Sequence, residues 1–271
     1  MGRWEVAVVE QHKRPRGFPR GRARTTARAL PLALALALAL PLALVLSPQS
    51  GLAAALEHLG LAGSSSSVAP SCPAAPCDVV TATTGFQAAI TGRHNAMVVQ
   101  RPGRVTNWSL VLAALTPAQV AYFDRVAHGP AKAGLVILHP GAHYRFRVKD
   151  AGPVIPLAGS FGRTVNIVLG RPLRVSPGDV VALAVPTWAP ALAVDLDRGT
   201  VWRASRARSA CTDLFQPTAQ VARGALTKYE CIYRTARLTY GATVADDPPA
   251  PSPPSRPRPA PSAPKKTAAK A

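Results

Sequence analysis

Carboxylates are scarce in this chain. Only 13 of its 271 residues are Asp or Glu, against 32 Lys and Arg, and the formal net charge is +19. Residues 72–245 contain a single glutamate, Glu230, and seven aspartates that fall mostly in turn-like stretches. Glycoside hydrolysis needs two carboxyl groups fixed on either side of one bond, and so thin an acidic supply argues against it. Serine-hydrolase chemistry lacks its marker too. "AGSFG" around Ser160 sets Gly159 directly beside the serine, which is not the Gly-x-Ser-x-Gly elbow. No glycine-rich phosphate loop or dinucleotide fingerprint occurs.

Metal-ligand spacing is missing as well. The four cysteines contain no Cys-x-x-Cys pair. His139 and His143 in "HPGAH" have no evident third ligand, and they read as turn histidines. Asp195 and Asp197 in "DLDRG" resemble the start of a calcium loop without its later ligands, so a polar turn is expected. The sequence therefore offers no catalytic residue, no metal site and no cofactor. An enzyme reading survives only as a secreted hydrolase whose site is not visible in the primary structure.

What is present concerns compartment first. Residues 1–28 carry eight basic and two acidic side chains, and they lead into "ALPLALALALALPLALVL" at 29–46, which has no charge. A basic flank before a long uncharged run reads as an export signal, and "LAAAL" supplies small residues for cleavage after Ala55. Eighteen helical residues also reach roughly 27 Å, so a retained membrane anchor is the rival reading. Contact with a membrane is expected only through residues 29–46, if they are uncleaved. An even number of cysteines in an exported chain implies disulfides, with three pairings available to Cys72, Cys77, Cys211 and Cys231. "CPAAPC" can close on itself, which would leave Cys211 with Cys231.

Composition then divides the chain. Residues 1–55 form the signal or anchor with its basic flank, and 56–71, ending in "GSSSSVAPS", read as a Ser-rich spacer. Residues 72–245 are expected to fold. Residues 246–271 hold nine prolines and a basic end, and are expected to be an extended, disordered tail. Strand patterns dominate the folding region, separated by turn signals about every ten residues, as in a sandwich. "RVTNWSLVLAAL" sorts Thr106, Trp108, Leu110 and Leu112 to one face. "HYRFRVKD" alternates Tyr144, Phe146 and Val148 against Arg145, Arg147 and Lys149, and Pro140-Gly141 makes it a hairpin with "GLVILHP". One helix stands out: Thr116 as N-cap, Pro117 first in the helix, Gly129 beyond its end, and Val120, Phe123 and Ala127 as a buried stripe. The expected fold is all-β, an antiparallel, jelly-roll-like β-sandwich with one inserted helix.

Aromatic residues are few, so each tryptophan is informative. Trp108 alternates with leucines, and Trp188 in "PTWAP" sits among apolar residues; both are expected in the core. Trp202, followed by Arg203, Arg206 and Arg208, is expected to be exposed.

Residues 72–245 alone carry 19 basic against eight acidic side chains. Arg145, Arg147 and Lys149 on one strand face, with Arg101, Arg104, Arg163, Arg171 and Arg174 near strand ends, point to an anionic partner. The expected site is Arg145, Arg147, Lys149, Trp202 and Arg203. The expected ligand is a carbohydrate or an anionic cell-envelope polymer. Charge alone would admit nucleic acid, but the export segment argues against it. A scaffold without a ligand is the remaining alternative. "GRVTNWSL", "GDVVALAVPTWAPALAV", "VWRASRARSAC" and "YECIYRTARLTY" resemble segments of exported proteins from high-GC actinobacteria that carry no assigned activity. The resemblance spans about residues 77–245; it implies a secreted or envelope-associated β-sandwich and nothing catalytic.

Overall fold

The computed structural model describes residues 55–60 and 68–247. The export segment at 29–46 and the proline-rich residues from 248 onward lie outside the described residues. The chain forms β1 (Leu56–Gly60), β2 (Val80–Ile90), β3 (Arg93–His94), β4 (Gly103–Val111) and helix α1 (Pro117–Val126). There follow β5 (Lys132–Pro140), β6 (Arg145–Ala151), β7 (Ile155–Pro156), β8 (Thr164–Val175) and β9 (Val180–Ala189). The last are β10 (Leu192–Ala193), β11 (Val201–Ala204), β12 (Leu226–Lys228), β13 (Cys231–Arg234), β14 (Arg237–Leu238) and β15 (Tyr240–Asp246).

These make a sandwich-like all-β fold with antiparallel pairing throughout. One sheet has the order β1-β15-β4-β8; the larger runs β12-β6-β5-β9-β2-β11-β13, with β3 and β7 alongside. Its end strands β12 and β13 are separated in the chain by only Tyr229 and Glu230, so the large sheet is curled. Phe86, Phe146 and Tyr229 fill the inside of the curl, with ring centroids 5.1–5.7 Å apart. Tyr240 of the smaller sheet crosses the core and donates its hydroxyl to the Val181 carbonyl of β9 at 2.8 Å. Val180 through Val185 are all buried, because β9 is a central strand covered on both faces; that is why this stretch shows no alternation.

The smaller sheet begins earlier than composition predicts. Leu56–Gly60, assigned above to the spacer, pairs residue for residue with β15 and buries Leu59. An open sheet edge supplied the partner that the short segment needed, so the fold extends N-terminally of Cys72.

The other local readings divide cleanly. Thr116 caps α1 in a full capping box with Gln119, with Pro117 in the first turn. The helix presents Phe123 and Asp124 to Trp188. That ring is fully buried and donates its Nε1–H to Asp124 at 2.9 Å. Trp108 is buried too, but its face is shared with Val105 rather than Thr106, because the β4–β8 register shifts between Val105 and Asn107. Trp202 corrects the sequence reading: it is 5% exposed, stacked on Tyr233 at 4.5 Å. Gly85 makes room for it, since a Cβ there would meet the indole at 2.8 Å. The cysteines form Cys72–Cys77 and Cys211–Cys231, which fits an oxidising, extracellular environment.

Candidate functional site

Two irregular strands shape a cleft between the sheets. On β8, the ladder with β4 jumps from Val168 to Leu173 while β4 advances only from Asn107 to Val105. Leu169 to Pro172 therefore bulge out of the sheet and carry Arg171 towards β6. On β6, Asp150 pairs with Ile137 and Val148 with Leu138, which leaves Lys149 as an extra residue. Bulges of this kind re-aim side chains. Here they turn Arg171, Lys149 and Asp150 to one place.

The cleft holds about 380 Å³ and is lined by Arg104, Lys149, Asp150, Arg171, Arg174 and Arg223. Asp150 is its electrostatic anchor, with a side chain 3% exposed. Arg171 forks onto it with two hydrogen bonds of 2.9 Å, and Arg223 donates from Nε at 3.0 Å. The Arg171 hydrogen bonds lead in holding the Asp150 carboxyl at about 2, against 3.8 for a free aspartate, with Ala151 N–H and Arg223 adding to it against the cost of burial. Lys149 donates to buried Asp179 at 2.5 Å and to the Ser176 hydroxyl at 2.9 Å. Asp179 also takes His139 Nδ1 at 2.9 Å.

Cations outnumber their partners in this cleft. Arg104 and Arg174 stand directly opposite each other in the β4–β8 ladder. Arg104 lies 3.7 Å from the exposed carboxylate of Asp247, and Arg174 has no ion pair among the described residues. Like charges directly opposed across a ladder are destabilising. An anion seated between them would remove that repulsion.

The five sequence-predicted residues do not form one site. Lys149 belongs to the cleft. Arg145 and Arg147 share the exposed face of β6 towards the hairpin; Arg147 donates to the Gly224 carbonyl at 3.0 Å, and Arg145 lies across from Lys228 of β12. Arg203 sits on β11, its guanidinium 4.0 Å from the centre of the Tyr144 ring. Trp202 points into the core and leaves the site. Tyr144, sorted by alternation onto one face with Phe146 and Val148, is 53% exposed while those two are buried, because β6 starts only at Arg145.

Arg206, read with Arg203 as part of one basic cluster, is 1% exposed and structural. Its Nη2 donates to the carbonyls of Thr81 and Leu214, each at 2.7 Å. Asp197 is a turn residue, accepting from Gly199 N–H at 2.8 Å and the Thr200 hydroxyl at 2.7 Å. Arg223 and Asp150 escaped the sequence reading. Asp150 left one trace there, as the acid that ends the basic run "RFRVKD". Compared with known proteins, the chain matches no family model, and neither a curated protein nor a solved structure shows significant similarity to it.

Proposed function

We propose that this protein is an exported, non-enzymatic binding domain that holds an anionic polymer of the cell envelope in its basic cleft. The observation that carries this reading is the direct opposition of Arg104 and Arg174 at a cleft already lined by Lys149, Arg171 and Arg223. A surplus of guanidinium groups in a concavity favours phosphate, sulfate or carboxylate, because each planar fork matches a pair of acceptor oxygens. Asp150 holds Arg171 and Arg223 in place without cancelling the total. The basic flank and apolar run at the N-terminus support export, as do two disulfides in the fold. Export brings such a surface to the anionic polymers outside the membrane.

Retention of the protein on isolated cell envelopes across a salt series tests this. Binding through exposed cations weakens as salt shortens the screening length from about 10 Å at 0.1 M. Retention is expected to fall with salt, and at moderate salt to drop at least tenfold when Arg104→Gln and Arg174→Gln are combined. Unchanged retention in that double variant, or no retention at any salt, overturns the proposal. Removal of the basic residues 256–271 measures what the tail adds, and is expected to weaken retention without abolishing it.

A further inference from the structure

The turn that closes the β5–β6 hairpin holds an exposed aromatic ring at a position that favours Asn or Gly. His143 and Tyr144 have φ of +55° and +56°. This is the left-handed region, which side-chain-bearing residues adopt at a cost. Two in succession are what a type I′ hairpin turn requires, and Arg145 N–H closes it on the Ala142 carbonyl at 3.2 Å; what is unusual is that His and Tyr fill positions that favour Asn and Gly. The result turns Tyr144 outward, with over half the residue open to solvent. Strain of this kind persists where surrounding structure enforces it, and here it does. The Tyr144 carbonyl accepts from Tyr229 N–H at 2.8 Å, and Gly141 N–H donates to the Arg145 carbonyl at 2.7 Å.

The ring is also backed. Arg203 lies over it at 4.0 Å, and is itself tied to the Tyr229 carbonyl at 3.1 Å. Ile232, directly across the ladder from Arg203, is 43% exposed and adds apolar surface beside it. Arg145 and Lys228, paired across β6 and β12, supply charge at the ring's flank. From Arg145 to Lys149 the strand covers roughly 13 Å, so the platform and the cleft lie a few sugar rings apart along β6.

We infer that Tyr144, backed by Arg203, is a stacking platform for a pyranose ring, and that the ligand of this protein is an acidic polysaccharide. The inference rests on the cleft as an anion site and adds what the cleft cannot supply, a preference for a polymer that has rings. A ring stacks its C–H face on tyrosine while its carboxylates or sulfates meet the arginines. A polyphosphate has nothing to place on Tyr144. Nucleic-acid bases also stack on tyrosine, but the two disulfides fit an oxidising, extracellular environment, and the DNA arm of the test decides between the two.

The test uses the full-length protein with three probes: polygalacturonate, long-chain polyphosphate and single-stranded DNA. Tyr144→Gly is expected to lower affinity for polygalacturonate about tenfold, the scale of one aromatic stacking contact, and to change affinity for polyphosphate less than twofold. Tyr144→Phe keeps the ring and is expected to bind like the parent. Glycine accepts the left-handed conformation, so Tyr144→Gly is expected to melt no lower than the parent, which separates loss of a ligand contact from loss of fold. Equal effects on both polymers, no effect on either, or a fall in melting temperature alongside the binding loss overturns the platform. A loss confined to DNA also overturns it, in favour of base stacking. Failure of the cleft reads differently: Arg104→Gln with Arg174→Gln would then leave both polymers bound as before while Tyr144→Gly still weakened polygalacturonate.

Discussion

Arg206 and Arg174 belong to the same surplus of positive charge and spend it in opposite ways. Around Arg206 the chain supplies acceptors: two carbonyls at 2.7 Å and the Tyr233 hydroxyl at 3.3 Å, which in turn donates to the Cys211 carbonyl. A guanidinium can be taken out of water when its terminal nitrogens are met in this way, even with the Arg206 Nε left without a partner among the described residues. Around Arg174 the chain supplies more cation, with Arg104 opposite and Arg171 in the adjoining bulge. Buried arginine here closes a loop, and clustered exposed arginine leaves capacity for a ligand. Net charge does not distinguish the two; acceptor supply does.

The sharpest test of that difference is Arg206→Met. It leaves the Thr81 carbonyl without its guanidinium donor and the Leu214 carbonyl with only the Thr81 hydroxyl, and is expected to cost roughly 3 kcal/mol in chemical unfolding. Envelope retention of the folded fraction should be unchanged, and a well-folded variant that binds ten times more weakly would break the distinction. Next comes the disulfide that closes the same loop. Cys211 and Cys231 are 20 residues apart, and replacing both by Ser is expected to cost about 3 kcal/mol through the greater freedom of the unfolded chain. Unfolding midpoints with and without reductant check it, and again binding should follow only the folded fraction.

Much of the fold is legible in the sequence where the signals are local. Thr116-Pro117 with Gln119 three residues after the cap states a helix start, Pro140-Gly141 states a hairpin, and Trp188 between prolines in an apolar run states a core position. The errors fall where alternation is broken by something far away. Trp202 and Tyr144 exchange the places expected of them, because Gly85 on β2 admits one ring and a left-handed turn ejects the other. The cleft needs two bulges on strands from different sheets, and periodicity read along either strand alone reports neither. Arg104, Arg171 and Arg174 are visible as basic strand ends, but their convergence on one cleft is a property of the fold.

Asp150 stands between the two regimes, a buried acceptor serving the cleft. Its carboxyl titrates near 2 when folded and near 3.8 when free, so its contribution to stability is present above about pH 4 and lost as pH falls towards 2. The difference corresponds to at most about 2.5 kcal/mol. Arg171 and Arg223 are 61% and 64% exposed, and solvent screening reduces this to about 1–2 kcal/mol. Asp150→Asn is expected to lose that amount at pH 7 and to flatten the stability profile between pH 5 and 2. It should also loosen Arg171 and weaken anion binding despite raising the cleft's net charge. Tighter binding in Asp150→Asn would mean that charge alone, without positioning, governs the site.

The smallest effect on stability separates the two kinds of arginine most directly, because it has the opposite sign. Arg174→Gln removes one member of a like-charged pair and no ion pair among the described residues. Relief of cross-strand repulsion should raise the melting temperature slightly, by about 1 °C for a domain of this size. The same change should weaken retention on anionic polymer and flatten its dependence on salt, since one cation fewer meets the ligand. A residue retained for the fold cannot behave so, because its loss must lower stability, as Arg206→Met does. If Arg174→Gln instead melts lower and binds as before, the arginine pair contributes to the sheet in a way its register does not reveal. If it melts slightly higher and binds more weakly, the repulsion between Arg104 and Arg174 is a cost the fold carries for its ligand.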